Sequence, residues 1–160
     1  MNWEAIGAVG EVLGAIAVLA TLVYLARQIQ LSNKIAIASS ETELRSILGA
    51  LNFALMDNAD MAEILASAQT DSAELSSAEE IRLAAFLRAL LNSWISIETA
   101  YSHEMAPEET YNVMFDNAKE VIEVFPGCRL TLRQLVNTYP AVSRTKLMSF
   151  LDELLKEQGM

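Results

Sequence analysis

Few residues in this chain are of types that do chemistry, and they are scattered. His103 is the single histidine and has Glu104 beside it, a pairing that a general base or a metal ligand can use. It also falls where a helix is expected to end, and there the negative end of the helix dipole favours an imidazole with no further role. Trp94, Glu98 and Tyr101 share one helix face by their spacing and, with Arg88 opposite, are candidates to line a pocket. The same spacing also suits core and edge positions. The carboxylate pairs Glu79-Glu80, Glu108-Glu109 and Asp152-Glu153 are adjacent in sequence. Neighbouring side chains on a helix diverge, so none of these pairs forms a dyad. A di-iron bundle needs Glu-x-x-His on facing helices, and the chain has no such motif. It also lacks a Gly-rich phosphate loop, a nucleophile elbow and a Cys-His pairing. One cysteine, Cys128, excludes an internal disulfide and zinc spacing, and fits a reducing compartment. The expectation is no catalytic residue, no metal and no cofactor, and hence no enzyme. Seven methionines are scattered and read as gap fillers.

The exceptional polar residue is Glu11, because of what surrounds it. Ala5 to Ala26 is a run of 22 residues with Glu11 as its one charge. At helical rise the run spans about 33 Å, enough to cross a hydrocarbon core of about 30 Å. Trp3 precedes it, Tyr24 lies near its end and Arg27 follows at once. The two aromatic residues are about 31 Å apart along a helix, the spacing of anchors at two headgroup levels. No Lys or Arg precedes the span, whereas Arg27 and Lys34 follow it. The positive-inside rule then predicts the amino terminus outside and the remainder in the cytoplasm. A cleaved signal peptide needs a basic start; this one is acidic at Glu4, and the apolar run is longer than a usual signal core. Residues 1–27 are therefore expected to be a transmembrane anchor and 28–160 a cytoplasmic helical domain.

One face of that span is small: Gly7, Gly10, Gly14, Ala17 and Thr21 recur at 3-4-3-4 spacing and include a GxxxG pair. Small residues allow backbones to approach closely in lipid, where dispersion drives helix association. The opposite face, with Val9, Leu13, Ile16, Leu19 and Val23, suits lipid tails. Glu11 flanks the small face near mid-membrane, where an acid costs on the order of 2.5–3.5 kcal/mol. Such a group is expected to pair across a helix interface or to line an ion or proton path. The expected partners are the lipid bilayer and either copies of the chain, as a homo-oligomer, or other membrane subunits.

The rest of the chain is expected to be helical. Gln28 to Met56 contains no Pro, and its apolar residues recur near period 3.6, with possible bends at Ser32-Asn33 and Ser39-Ser40. This predicts a membrane helix continuing into a long cytoplasmic helix that ends at Met56-Asp57-Asn58. Asp60 is the expected cap of a short helix, Met61 to Gln69. Ser76-Ser77-Ala78-Glu79-Glu80 carries two overlapping capping boxes, opening a helix from Ala78 to about His103 with Leu83, Phe86, Leu87, Leu90, Leu91, Trp94 and Ile97 on its apolar face. Pro107 is expected in the first turn of the next helix, with Glu108 and Glu109 against its positive end, up to Phe125-Pro126-Gly127. Arg129 to Thr138 follows. Ser143 is expected to open the last helix, and Gly159 to close it. With no alternating β-branched run, the fold class is all-α, with about four to five helices after the long one.

Charge is uneven. The net of -10 is concentrated in residues 57–123, which hold 14 acidic and 3 basic groups, while residues 124–160 carry a net of +2. An acidic body predicts no nucleic-acid partner.

The opening residues, Trp3-Glu4-Ala5-Ile6-Gly7 through Glu11 and Gly14 to Val18, then Thr21-Leu22-Val23-Tyr24-Leu25-Ala26-Arg27-Gln28-Ile29, resemble a group of bacterial membrane-anchored proteins of no known activity. That group has a glycine-rich first span with an embedded Glu and a Tyr-Leu-Ala-x-Gln-Ile exit. Arg88 to Tyr101 is similar to its Asn-x-Trp helix. Pro140 to Leu155 is similar to its closing helix through Phe150, Asp152 or Glu153, and Leu154. The chain departs from the group at Leu130, Leu132 and Leu135, where the group has aromatic residues. The resemblance covers most of the chain and implies a bacterial inner-membrane protein, without implying an activity or site residues. Three readings follow: a self-assembling or accessory membrane protein; an oligomeric channel or sensor using Glu11; or a soluble bundle with the first helix buried inside.

Overall fold

The long amphipathic and apolar runs fold as helices, and the computed structural model describes residues 2–70, 75–138 and 145–159. Helix α1 spans Trp3–Asp57, α2 Ala59–Ser67, α3 Ser77–Ser102, α4 Glu108–Val124, α5 Arg129–Thr138 and α6 Lys146–Glu157, with a 3-10 turn at Pro126–Cys128. No strand occurs among the described residues, so the chain is all-α. Helix α1 is unbroken through Ser32-Asn33 and Ser39-Ser40. The chain divides into two compact units, Met1–Ser39 and Ser40–Met160.

In the first unit the described side chains are exposed throughout. An 18-residue window of its helix has mean hydropathy 2.2 with none of it buried.

The second unit is a bundle built around α3, which packs against α2, α4, α5 and α6. Its capping box forms as the sequence predicts. Ser76 Oγ accepts from the Glu79 amide at 3.4 Å, and the Glu79 carboxylate accepts from the Ser76 amide at 2.7 Å. The Ser76 hydroxyl also donates to the Glu79 carboxylate at 2.6 Å, and this bond, with the backbone one, holds that carboxyl below its usual range. The face read from the sequence is the buried one: Leu83, Leu87, Leu90, Leu91, Trp94 and Ile97 are in the core, and Phe86 is half-buried at its edge. Leu147, Leu151 and Leu155 of α6 bury the matching stripe.

Local details differ from expectation at three helix starts. Asn58, not Asp60, caps α2: its Oδ1 accepts from the Met61 amide at 3.2 Å. Asp60 instead lies in the first turn and pairs with Arg82 of α3 at 3.1 Å. Pro107 is the N-cap of α4 and not a residue of its first turn, because its ψ of 154° is extended. Thr145 caps α6, its Oγ1 accepting from the Met148 amide at 3.3 Å; Ser143 lies outside the described residues.

Helix ends use backbone geometry. α3 closes with the Glu104 amide donating to Tyr101 O and the Met105 amide to Ala100 O, at 3.0 and 2.8 Å, around Glu104 at φ 58°. This is a Schellman closure with glutamate in the position glycine normally takes. Gly159, at φ 80°, closes α6 in the expected way. Gly127 is needed for a different reason. Its amide donates to Ala68 O at 2.9 Å, and a Cβ here would lie 3.0 Å from Ala68 Cα and 3.1 Å from Ala68 O. The turn after α4 thus rests directly on the end of α2.

Candidate functional site

Two features remain once the core is accounted for: an apolar helix whose described side chains are exposed, and a groove in the bundle.

The first unit holds the residues singled out from the sequence. Trp3 and Tyr24 are 71% and 64% exposed, and Gly7, Gly10, Glu11, Gly14, Ala17, Thr21 and Arg27 are exposed with them on α1. A Cβ added at Gly7, Gly10 or Gly14 would meet nothing within 4 Å. Among the described residues nothing requires glycine at these positions. The Thr21 hydroxyl donates to Ala17 O at 2.8 Å, so it is satisfied within its own helix. Glu11 has no hydrogen-bond or ion-pair partner among the described residues.

In the second unit the pocket-like constellation of the sequence is resolved into structural contacts. Trp94 is fully buried, and its Nε1–H donates to Asn117 Oδ1 of α4 at 3.0 Å. Glu98 reaches the start of α6, where its carboxylate accepts from the Lys146 and Leu147 amides at 2.7 and 3.2 Å. Tyr101 stacks on Tyr111 with ring centroids 4.1 Å apart, and Tyr111, Phe115 and Phe150 continue edge to face. Burial, and next the charge of Glu98, push the Tyr111 phenol above its usual pKa. Arg88 is exposed and does not join them. His103 is an exposed C-cap of α3. Cys128 is buried, which pushes its thiol up to about 11. No group of three His, Cys, Asp or Glu side chains gathers as a metal site among the described residues.

Sequence reasoning did not find the groove, a cleft of about 510 Å³. Leu48, Leu51 and Leu55 of α1 form one wall, all half-buried. Val113, Asn117 and Val121 of α4 form the other, and Phe86, Leu90 and Trp94 of α3 lie at its floor. Charged groups stand on both rims: Arg45 on α1, and Glu109 and Glu120 on α4. The signal was present as the spacing of Leu44, Leu48, Leu51 and Leu55. That periodicity marks a face, and only Leu44 of the four is fully buried.

The structure thus defines an all-α chain with one exposed apolar helix and a helical bundle that carries a groove. No family model, curated protein or solved structure matches it.

Proposed function

We propose that the chain is a membrane protein of the bacterial inner membrane, anchored by the single span of α1, with its amino terminus outside and its bundle in the cytoplasm. It acts without enzymatic activity, assembling with copies of itself through its span or serving as an accessory subunit of a larger membrane complex. The observation that carries this reading is the apolar helix with mean hydropathy 2.2 and no buried residue in the window. A soluble protein hides such a surface in its core, because each apolar side chain left in water costs on the order of 1.5–3 kcal/mol. Here none of that window is buried among the described residues, and in this reading lipid supplies the cover. The Trp3, Tyr24 and Arg27 positions support the placement of the span ends. The Gly7, Gly10 and Gly14 surface, open among the described residues, supports close packing against a second helix. The resemblance of the first 29 residues to bacterial membrane-anchored proteins is consistent with this.

The test is native mass. A C-terminally tagged full chain is extracted from membranes with a mild amphiphile and weighed as an intact complex. An integer copy number of one polypeptide, reduced by Gly10→Leu with Gly14→Leu, is the expected result; stoichiometric recovery of other subunits selects the accessory role. Glu11→Leu is expected to leave insertion intact and weaken assembly. Recovery of the untreated chain in the soluble fraction after lysis would overturn the membrane reading.

A second reading rests on Glu11, a carboxyl group among apolar neighbours with no partner among the described residues. In an oligomer several such groups share one intramembrane path, forming a channel or sensor. Ion flux in liposomes that is lost in Glu11→Ala supports this reading; tight bilayers at every pH remove it.

A further inference from the structure

The groove in the bundle is unrelated to the span seam and has the attributes of a ligand site. Its volume of about 510 Å³ falls within the roughly 300–1,000 Å³ typical of small-molecule pockets, which are mostly apolar with a few placed polar groups and often sit between helices of bundles. The walls and floor are mostly hydrocarbon and aromatic, with Asn52, Thr110 and Asn117 among them. At the floor Asn117 Oδ1 accepts from Trp94 Nε1–H, so this pair does not call for a polar group on the ligand.

The rims decide the head group. Arg45 is the one cation lining the groove among the described residues, and both its Nε and its Nη2 donate to Glu41 Oε1, at 3.2 and 2.8 Å. It therefore has its counter-charge already. Glu109 and Glu120 stand on the opposite rim, exposed, with no ion pair among the described residues. They are eleven residues apart on α4, about 16 Å along the helix, so one lies toward each end of the groove. The resulting field repels a carboxylate or phosphate head and attracts an ammonium.

We propose that the groove binds a linear lipophile with a cationic head. The hydrocarbon chain lies between the α1 and α4 walls over Leu90 and Trp94, and the head sits at Glu109 or Glu120.

Trp94 at the floor reports the occupant. The full chain carrying Trp3→Phe, so that Trp94 is the sole indole, is held in nanodiscs of a zwitterionic lipid, or in plain buffer if it is soluble. It is titrated with dodecyltrimethylammonium and, separately, with dodecanoate. Trp94 emission is expected to change saturably with both chains, with the ammonium bound about five- to tenfold more tightly, the scale of one or two exposed charge contacts. Glu109→Gln with Glu120→Gln, surface changes that leave the apolar walls intact, are expected to bring the two affinities within about twofold. Leu51→Phe with Val113→Phe fills the groove from both walls and is expected to weaken both ligands about tenfold or more. Equal affinities for the two heads in the parent chain, or no Trp94 response to either, overturn the proposal. A response to a basic amphipathic peptide with none to the single-chain probes overturns it in favour of a protein partner.

Discussion

Glu98 is the side chain whose removal tests the bundle most directly. The first amides of α6 have no partner inside their helix. Three of them are met from outside it: the Lys146 and Leu147 amides by the Glu98 carboxylate at 2.7 and 3.2 Å, and the Met148 amide by Thr145 Oγ1 at 3.3 Å. Glu98→Ala strips two of the three. A hydrogen bond to a charged group contributes about 1.5–3 kcal/mol when water cannot replace it, and a carboxylate at a helix N-terminus adds about 0.3–1 kcal/mol. Lys146 is exposed, so water recovers its amide, whereas Glu98 is half-buried. The net loss is then about 2 kcal/mol. For a unit the size of Ser40–Met160, about 4 °C per kcal/mol converts this to a fall of about 8 °C in the melting temperature. Glu98→Gln keeps an acceptor without the charge and is expected to lose about half as much. The assay is thermal unfolding of the full chain followed by far-UV circular dichroism, with amide exchange at Lys146 and Leu147 as the local readout. Exposed Glu43→Ala serves as the control. A Glu98→Ala melting point within about 2 °C of that control, or unchanged protection at the two amides, refutes the reasoning.

Four further outcomes are expected. Asp152 accepts from Lys156 of α6 and from Arg133 of α5, and these bonds, that of Lys156 first, hold its carboxyl below its ordinary value of 3.8. A lowered folded-state pKa stabilises the fold above the unfolded value and loses that effect as pH falls through the folded one. Acid unfolding below about pH 4 should therefore be less steep in Asp152→Asn, as monitored by circular dichroism against pH. Glu104→Gly relieves a left-handed residue at φ 58° and should stabilise the bundle by about 0.5–1 kcal/mol in denaturant titrations. Gly127→Ala drives a Cβ to 3.0 Å from the Ala68 backbone and should destabilise it by about 1–3 kcal/mol by the same titration. Cys128, buried with its thiol at about 11, should resist alkylation at pH 8 in the native state and react at once in denaturant, as judged by mass shift.

Much of the element plan could be derived from neighbours in the chain. The Ser76–Glu79 box, the stop at Asp57-Asn58, the Phe125-Pro126 break and the close at Gly159 each involve residues within a few positions of one another, where helix propensity and capping act. The apolar face of α3 was equally legible, since periodicity alone marks which side must be covered. Of the two features left outside the core, composition and spacing marked the apolar helix with Glu11 and its small residues, whereas of the groove only Trp94 was named beforehand as a pocket candidate.

What covers each face is another matter. The sequence by itself determined that the chain is helical, where most helices begin and end, and that one helix is long and apolar enough to cross a membrane. Tertiary structure decided that Glu98, read beforehand as a candidate pocket residue, caps a helix 48 residues further on. It decided that Asp60 reaches Arg82 while Asn58 takes the cap, and that Gly127 lies against Ala68. It also decided that Leu48, Leu51 and Leu55 line an open groove while Leu44 is buried. Periodicity specifies a direction around one helix axis; the distance to the next helix depends on how all the side chains between them pack, and no local stretch of sequence contains that information.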